Sequence, residues 1–149
     1  MSISLTEICT AIDTTLSAAT GLTYTQTFSG LSEGMQNLPV LQIYPESLRQ
    51  DATTGSDRTT FKAGVRQTEI IVNCDLYARQ RRDLGEDMAA LIPLIDAIQD
   101  VLEQQDTKPY FGLVGIKSFA WSAQRVTFTY GEPQIYYVGS RFSLVLRVF

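Results

Sequence analysis

The chain contains no histidine, only two cysteines and few lysines, and it has no uninterrupted apolar run of the roughly 18 to 20 residues that a membrane span requires. The missing histidine removes Ser-His and Cys-His nucleophilic pairs and every histidine-liganded metal site. Cys9 and Cys74 are too few for a disulfide framework and lack metal-ligand spacing, so they read as buried free thiols in a reducing compartment. The N-terminus lacks the basic start and apolar run of a signal peptide, and a soluble, unexported protein is expected. A formal net charge of −4 argues against general nucleic-acid binding, though not against a local basic patch.

What is present suits one domain over residues 1–149, since 44% hydrophobic content in a chain of this length supports a sizeable core. Leu5, Ile8, Cys9, Ile12 and Leu16 recur at helical spacing behind the Ser4/Glu7 capping-box pattern, which predicts a first helix ended by Gly21. The segment from Tyr24 to Asn37 reads as irregular or edge structure. "LPVLQIYP" then reads as a short strand closed by Pro45, and residues 46–62 as a long polar loop. A long strand follows in "VRQTEIIVNCDLY", with Ile70, Val72, Cys74 and Leu76 on one face and Gln67, Glu69, Asn73 and Asp75 on the other.

Leu84, Met88, Leu91, Ile95, Ile98 and Leu102 mark a second helix, with Asp83 and Glu86 as cap residues and a kink or break expected near Ala89 to Pro93. The remainder is β-rich: a strand near Val114 to Tyr130, the turn "GEPQ", and a closing strand in which Phe142, Leu144, Leu146 and Val148 alternate with Ser143, Val145 and Arg147. The order helix, strands, helix, strands predicts an α+β domain, an antiparallel sheet of about four strands with both helices on one face.

No catalytic or cofactor motif emerges. "FGLVGIKS" lacks the glycine directly before the lysine and the following helix that a phosphate loop needs, with Lys117 in a β-rich stretch. Asp96, Asp100 and Glu103 sit at helical intervals away from the apolar stripe, as a solvated or partner-facing surface rather than an acid/base pair. Phe119 with Trp121, and Tyr136 with Tyr137, read as core or edge packing before base stacking.

Charge arrangement says more. From Leu84 to Thr107 the chain carries Glu86, Asp87, Asp96, Asp100, Glu103 and Asp106 and no cation, forgoing the i,i+4 pairs that ordinary surface helices use. Just before it stand Arg79, Arg81 and Arg82, where the helix dipole disfavours cations. Three explanations are open: ion pairs within the subunit, such as Arg82 with Glu86; pairing with Asp96, Asp100 or Glu103 of a second copy, which is head-to-tail and closes into a ring if the rotation permits; or phosphate binding. In the polar loop, Arg49, Asp51, Asp57 and Arg58 are candidate contacts to a neighbour.

The succession of the capped helix, "LPVLQIYP", "TEIIVNCDLYARQ", "LIPLIDAIQDVLE" and "YYVGSRFSLVLRVF", with its Tyr137-Val138-Gly139 step, resembles the tail-terminator and tail-completion proteins of long-tailed bacteriophages over nearly the whole chain. The long loop and the extended Tyr24 to Asn37 segment depart from the smaller members. The resemblance implies an α+β subunit of a ring, usually a hexamer, in the tail-neck region of the virion, assembled in the host cytoplasm. Such a ring caps the tail tube and joins it to the head-tail connector. It implies no catalytic residue, cofactor, metal or membrane, and DNA that passes through without sequence-specific binding; an acidic channel surface would let it slide. Alternatives are a head-tail adaptor or minor tail protein, and, from another class, a small enzyme or cellular ligand-binding α+β domain, which a deep pocket with convergent polar groups would distinguish.

Overall fold

The structure, a computed structural model, describes residues 4–19, 21–22, 24–26, 38–51, 67–105, 107, 109–130 and 135–148. Helix α1 (Leu5–Leu16) begins where the Ser4 hydroxyl accepts the Glu7 N–H at 3.1 Å, satisfying one of the amides that a helix start leaves unpaired. Its apolar stripe, Ile8, Cys9, Ile12 and Leu16, is buried. The helix stops before Gly21: Ser17 caps it, and Gly21 (φ +95°) lies beyond, where a Cβ would come within 3.0 Å of Leu94.

Strands β1 (Tyr24–Gln26), β2 (Val40–Asp51), β3 (Gln67–Gln80), β4 (Ile116–Tyr130) and β5 (Ile135–Val148) form one sheet in the order β1-β2-β3-β5-β4. The four long strands pair antiparallel, and the three-residue β1 lies parallel to β2 at the edge. Between β3 and β4 runs helix α2 (Leu84–Glu103). The α+β class read from the sequence is therefore the observed one.

Alternation explains why both helices share a face. Ile70, Val72, Cys74 and Leu76 of β3 and Phe142, Leu144, Leu146 and Val148 of β5 point the same way and pack with α1 and α2 into one core. Each such side chain removed from water contributes about 1.5–3 kcal/mol.

Four details differ from expectation. β2 does not close at Pro45: Pro45 stays in register opposite Val72, a bulge directly after it leaves Glu46 without a partner, and the strand continues to Asp51. Residues 46–51 of the expected loop are thus strand, and the rest of that loop lies outside the described residues. α2 runs through Pro93 without a break. Ala89 and Pro93 are both exposed, so the carbonyl that loses its partner lies on the watered side of the helix. The buried stripe of α2 includes Leu94 and Val101 and omits Leu84, which is 64% exposed. β4 begins at Ile116, after a 3-10 turn at Tyr110–Gly112 in which buried Phe111 adopts φ +53° and meets Phe119 edge-on, ring centroids 5.0 Å apart.

The opposite face of the sheet is polar yet partly enclosed. Arg141 donates to Asp75 through Nε (2.7 Å) and Nη2 (3.1 Å), and the Tyr44 hydroxyl donates to Asp75 at 2.7 Å. Asp75 and Arg141 are cross-strand neighbours in register, so the pair ties β3 to β5 while Tyr44 adds β2.

Candidate functional site

The arginine cluster is divided by a bulge. Between Tyr77 and Arg79 the register against β5 slips by one residue, so Arg79 falls opposite Val138, on the helix-bearing face, instead of following Asp75 and Tyr77 onto the open one. There Arg79 Nε lies 3.4 Å from Asp87 Oδ1 and Nη2 lies 3.8 Å from Glu86 Oε2. Asp87 is 2% exposed and also accepts the backbone N–H of Arg82 at 3.1 Å. At the helix start, Asp83 caps the Gly85 N–H at 3.0 Å. Asp87, rather than Glu86, is the acid that reaches back over this helix start. The intramolecular pair expected between Arg82 and Glu86 is replaced by Arg79.

Arg81 and Arg82 are exposed, and among the described residues neither makes an ion pair. A further cation joins them. Arg125, exposed on β4, lines the same cleft of about 200 Å³ as Arg81, Leu84, Asp87, Thr127 and Val138. Its polar contact among the described residues is the Met88 sulfur at 3.5 Å, a weak acceptor. Sequence reasoning missed Arg125 because its place depends on the β4–β5 register, which sets Arg125 opposite Ser140 and Thr127 opposite Val138, on the helix-bearing face.

At the other end of α2, Asp96, Asp100 and Glu103 are exposed. Gln99 donates to Glu103 at 2.9 Å, while Asp96 and Asp100 make no ion pair among the described residues. Both line an open groove of about 470 Å³ where the end of α1 meets α2, together with Ala18, Ala19, Pro93 and Ala97. Along the axis Asp96 and Asp100 stand roughly 18–24 Å from Leu84 at ~1.5 Å per residue. That separation exceeds two Debye lengths of about 8 Å each, so the cationic corner and the acidic groove do not neutralise one another within a subunit.

The remaining candidates lie elsewhere. Arg49 is 68% exposed on β2 and lies 3.6 Å from Glu69, which also meets Arg147 at 3.5 Å. Asp51 ends β2, and Asp57 and Arg58 lie outside the described residues. Cys9 and Cys74 are free, and burial raises both thiols above their ordinary range. Phe119 and Trp121 pack against the core, Tyr137 is buried, and Tyr136 is half exposed. Among the described residues no group of His, Cys, Asp or Glu is arranged to hold a metal ion, and no helix is long and apolar enough to cross a membrane. No protein-family model and no curated protein sequence matches the chain.

Proposed function

We propose that the chain is a structural virion subunit that assembles head-to-tail into a closed ring, six copies being the expected number, which caps a phage tail tube and joins it to the head-tail connector. The observation that carries the reading is the separation of charges that have no ion pair among the described residues: exposed Arg81, Arg82 and Arg125 around the start of α2, and exposed Asp96 and Asp100 toward its other end. With Glu86 and Asp87 already engaged by Arg79, the three remaining arginines are left as a local excess of one sign, which is costly to hold together unless something of the opposite sign meets it. Two different and complementary patches on one chain make a heterologous contact, which repeats until the rotation closes. The tail-neck role rests in addition on the resemblance of the element order and of the Tyr137-Val138-Gly139 step to tail-terminator proteins.

Reversal of Arg81 and Arg82 to glutamate tests the reading. It is expected to abolish ring formation and leave the monomer folded, because exposed changes typically cost within about 0.5 kcal/mol of fold stability. Reversing Asp96 and Asp100 to arginine in the same chain is expected to restore part of the assembly. Rings unaffected by the double reversal, with DNA affinity lost and steeply salt-dependent in the parent, would replace the assembly reading by phosphate contact.

A further inference from the structure

We infer that the α1–α2 groove is the receptor for the α2 N-terminal corner of a second copy, with Leu84 entering the groove and Arg81 and Arg125 meeting Asp96 and Asp100. The inference rests on the self-assembly reading and names its contact.

The two surfaces are opposite in charge. Leu84 opens α2, is 64% exposed, and sits at the same cleft as Arg81 and Arg125. It is an apolar side chain flanked by two guanidinium groups that lack carboxylate partners among the described residues. The groove reverses this pattern. Its wall is made of small side chains, Ala18, Ala19 and Ala97, which let another chain approach closely, and Asp96 and Asp100 stand one helical turn apart beside it. At about 470 Å³ it has room for a leucine side chain together with the arms of two arginines.

Bidentate guanidinium–carboxylate pairing around a desolvated apolar anchor is the arrangement that concentrates binding energy in protein interfaces. Arg79 takes no part, since the bulge has committed it to Asp87. The interface therefore draws one of its two cations from β4, an edge strand distant in sequence from the arginine cluster. Because donor and receptor are different surfaces at opposite ends of one helix, each copy gives one contact and receives one.

Cysteine cross-linking tests the contact directly. Leu84→Cys and Ala97→Cys in one chain are roughly 20 Å apart along α2, far beyond the ~7 Å Cα separation that a disulfide tolerates, so any bond between them joins two copies. The native thiols are fully buried and leave a low background. Mild oxidation of the double variant is expected to give a ladder of covalent multimers that ends at the ring number. Neither single variant is expected to give it. Arg125→Asp is expected to raise the concentration for half-assembly about tenfold or more, with Asp100→Arg in the same chain recovering part of the loss. Wild-type rings without a ladder, or rings indifferent to Arg125→Asp, overturn the proposed contact and leave self-assembly standing. A wild-type chain that never associates overturns both.

Discussion

Arg79 reaches Asp87 across 3.4 Å only because the chain gains a residue at the bulge between Tyr77 and Arg79. That contact, together with the Arg82 N–H on the same carboxylate, ties the first turn of α2 to the end of β3. It makes Asp87 a folding residue in the middle of what the sequence presents as a surface charge run.

Asp87→Ala is accordingly expected to cost about 2–4 kcal/mol, because it leaves a backbone donor and a partly buried guanidinium without their acceptor. Glu86→Ala, at 3.8 Å from Arg79 and 66% exposed, is expected to stay within about 0.5 kcal/mol. Urea unfolding of the two variants side by side decides it. Equal effects would contradict the assignment.

Gly139 lies opposite Tyr77 on β3 and Val126 on β4, and Phe128 lies across it to stack on Tyr77 with ring centroids 4.3 Å apart. A Cβ there would overlap the Leu76 carbonyl oxygen and come within 2.7 Å of Phe128 Cε2. Gly139→Ala is expected to destabilise by about 1–3 kcal/mol or more, and Phe128→Ala in the same chain to recover little, since the backbone overlap remains. By contrast Gly85→Ala, in the first turn of α2 where a Cβ would meet Asp83 Oδ1 at an ordinary 3.7 Å, is expected to be neutral or slightly stabilising. Thermal melts of the three chains check the ordering, and a tolerated Gly139→Ala would show that the strands can part at this point.

Burial, and then the hydrogen bond to Asp75, push the Tyr44 phenol from its ordinary 10 up to about 12. The folded protein therefore holds this proton more tightly than the unfolded chain does. The stabilisation is complete below about pH 10 and is lost as pH rises toward 12. Tyr77 is also raised by burial, so the wild type keeps some alkaline slope from other groups. Tyr44→Phe is expected to lower stability at neutral pH and to flatten the decline between pH 10 and 12. Identical slopes in denaturant titrations would remove Tyr44 from the alkaline transition.

The fold was legible where period and burial coincide. Cys74 and Phe142 sit in alternating strands that bury one face, and Leu91 and Ile98 repeat on a helix, so their side of the core followed from spacing. Pro45 did not end its strand and Pro93 did not break its helix because both positions tolerate a missing N–H, one beside a bulge and one on a solvated helix face. The candidate site was half legible. Arg81, Arg82, Asp96 and Asp100 stood out as charge runs, but the loss of Arg79 to Asp87 depends on a one-residue bulge, and the recruitment of Arg125 depends on strand register. No local pattern encodes either. The Tyr44–Asp75–Arg141 network escaped for the same reason, since its members are brought together only by pairing across three strands.

The central claim is that this chain closes on itself through unlike surfaces, and light scattering on the wild-type protein across concentration measures it most directly. The expected result is a species whose mass is a fixed multiple of 16.6 kDa, six copies being the expected number, that stops growing once reached and dissociates as salt rises. A mass of 16.6 kDa maintained to millimolar concentration at low salt would contradict it.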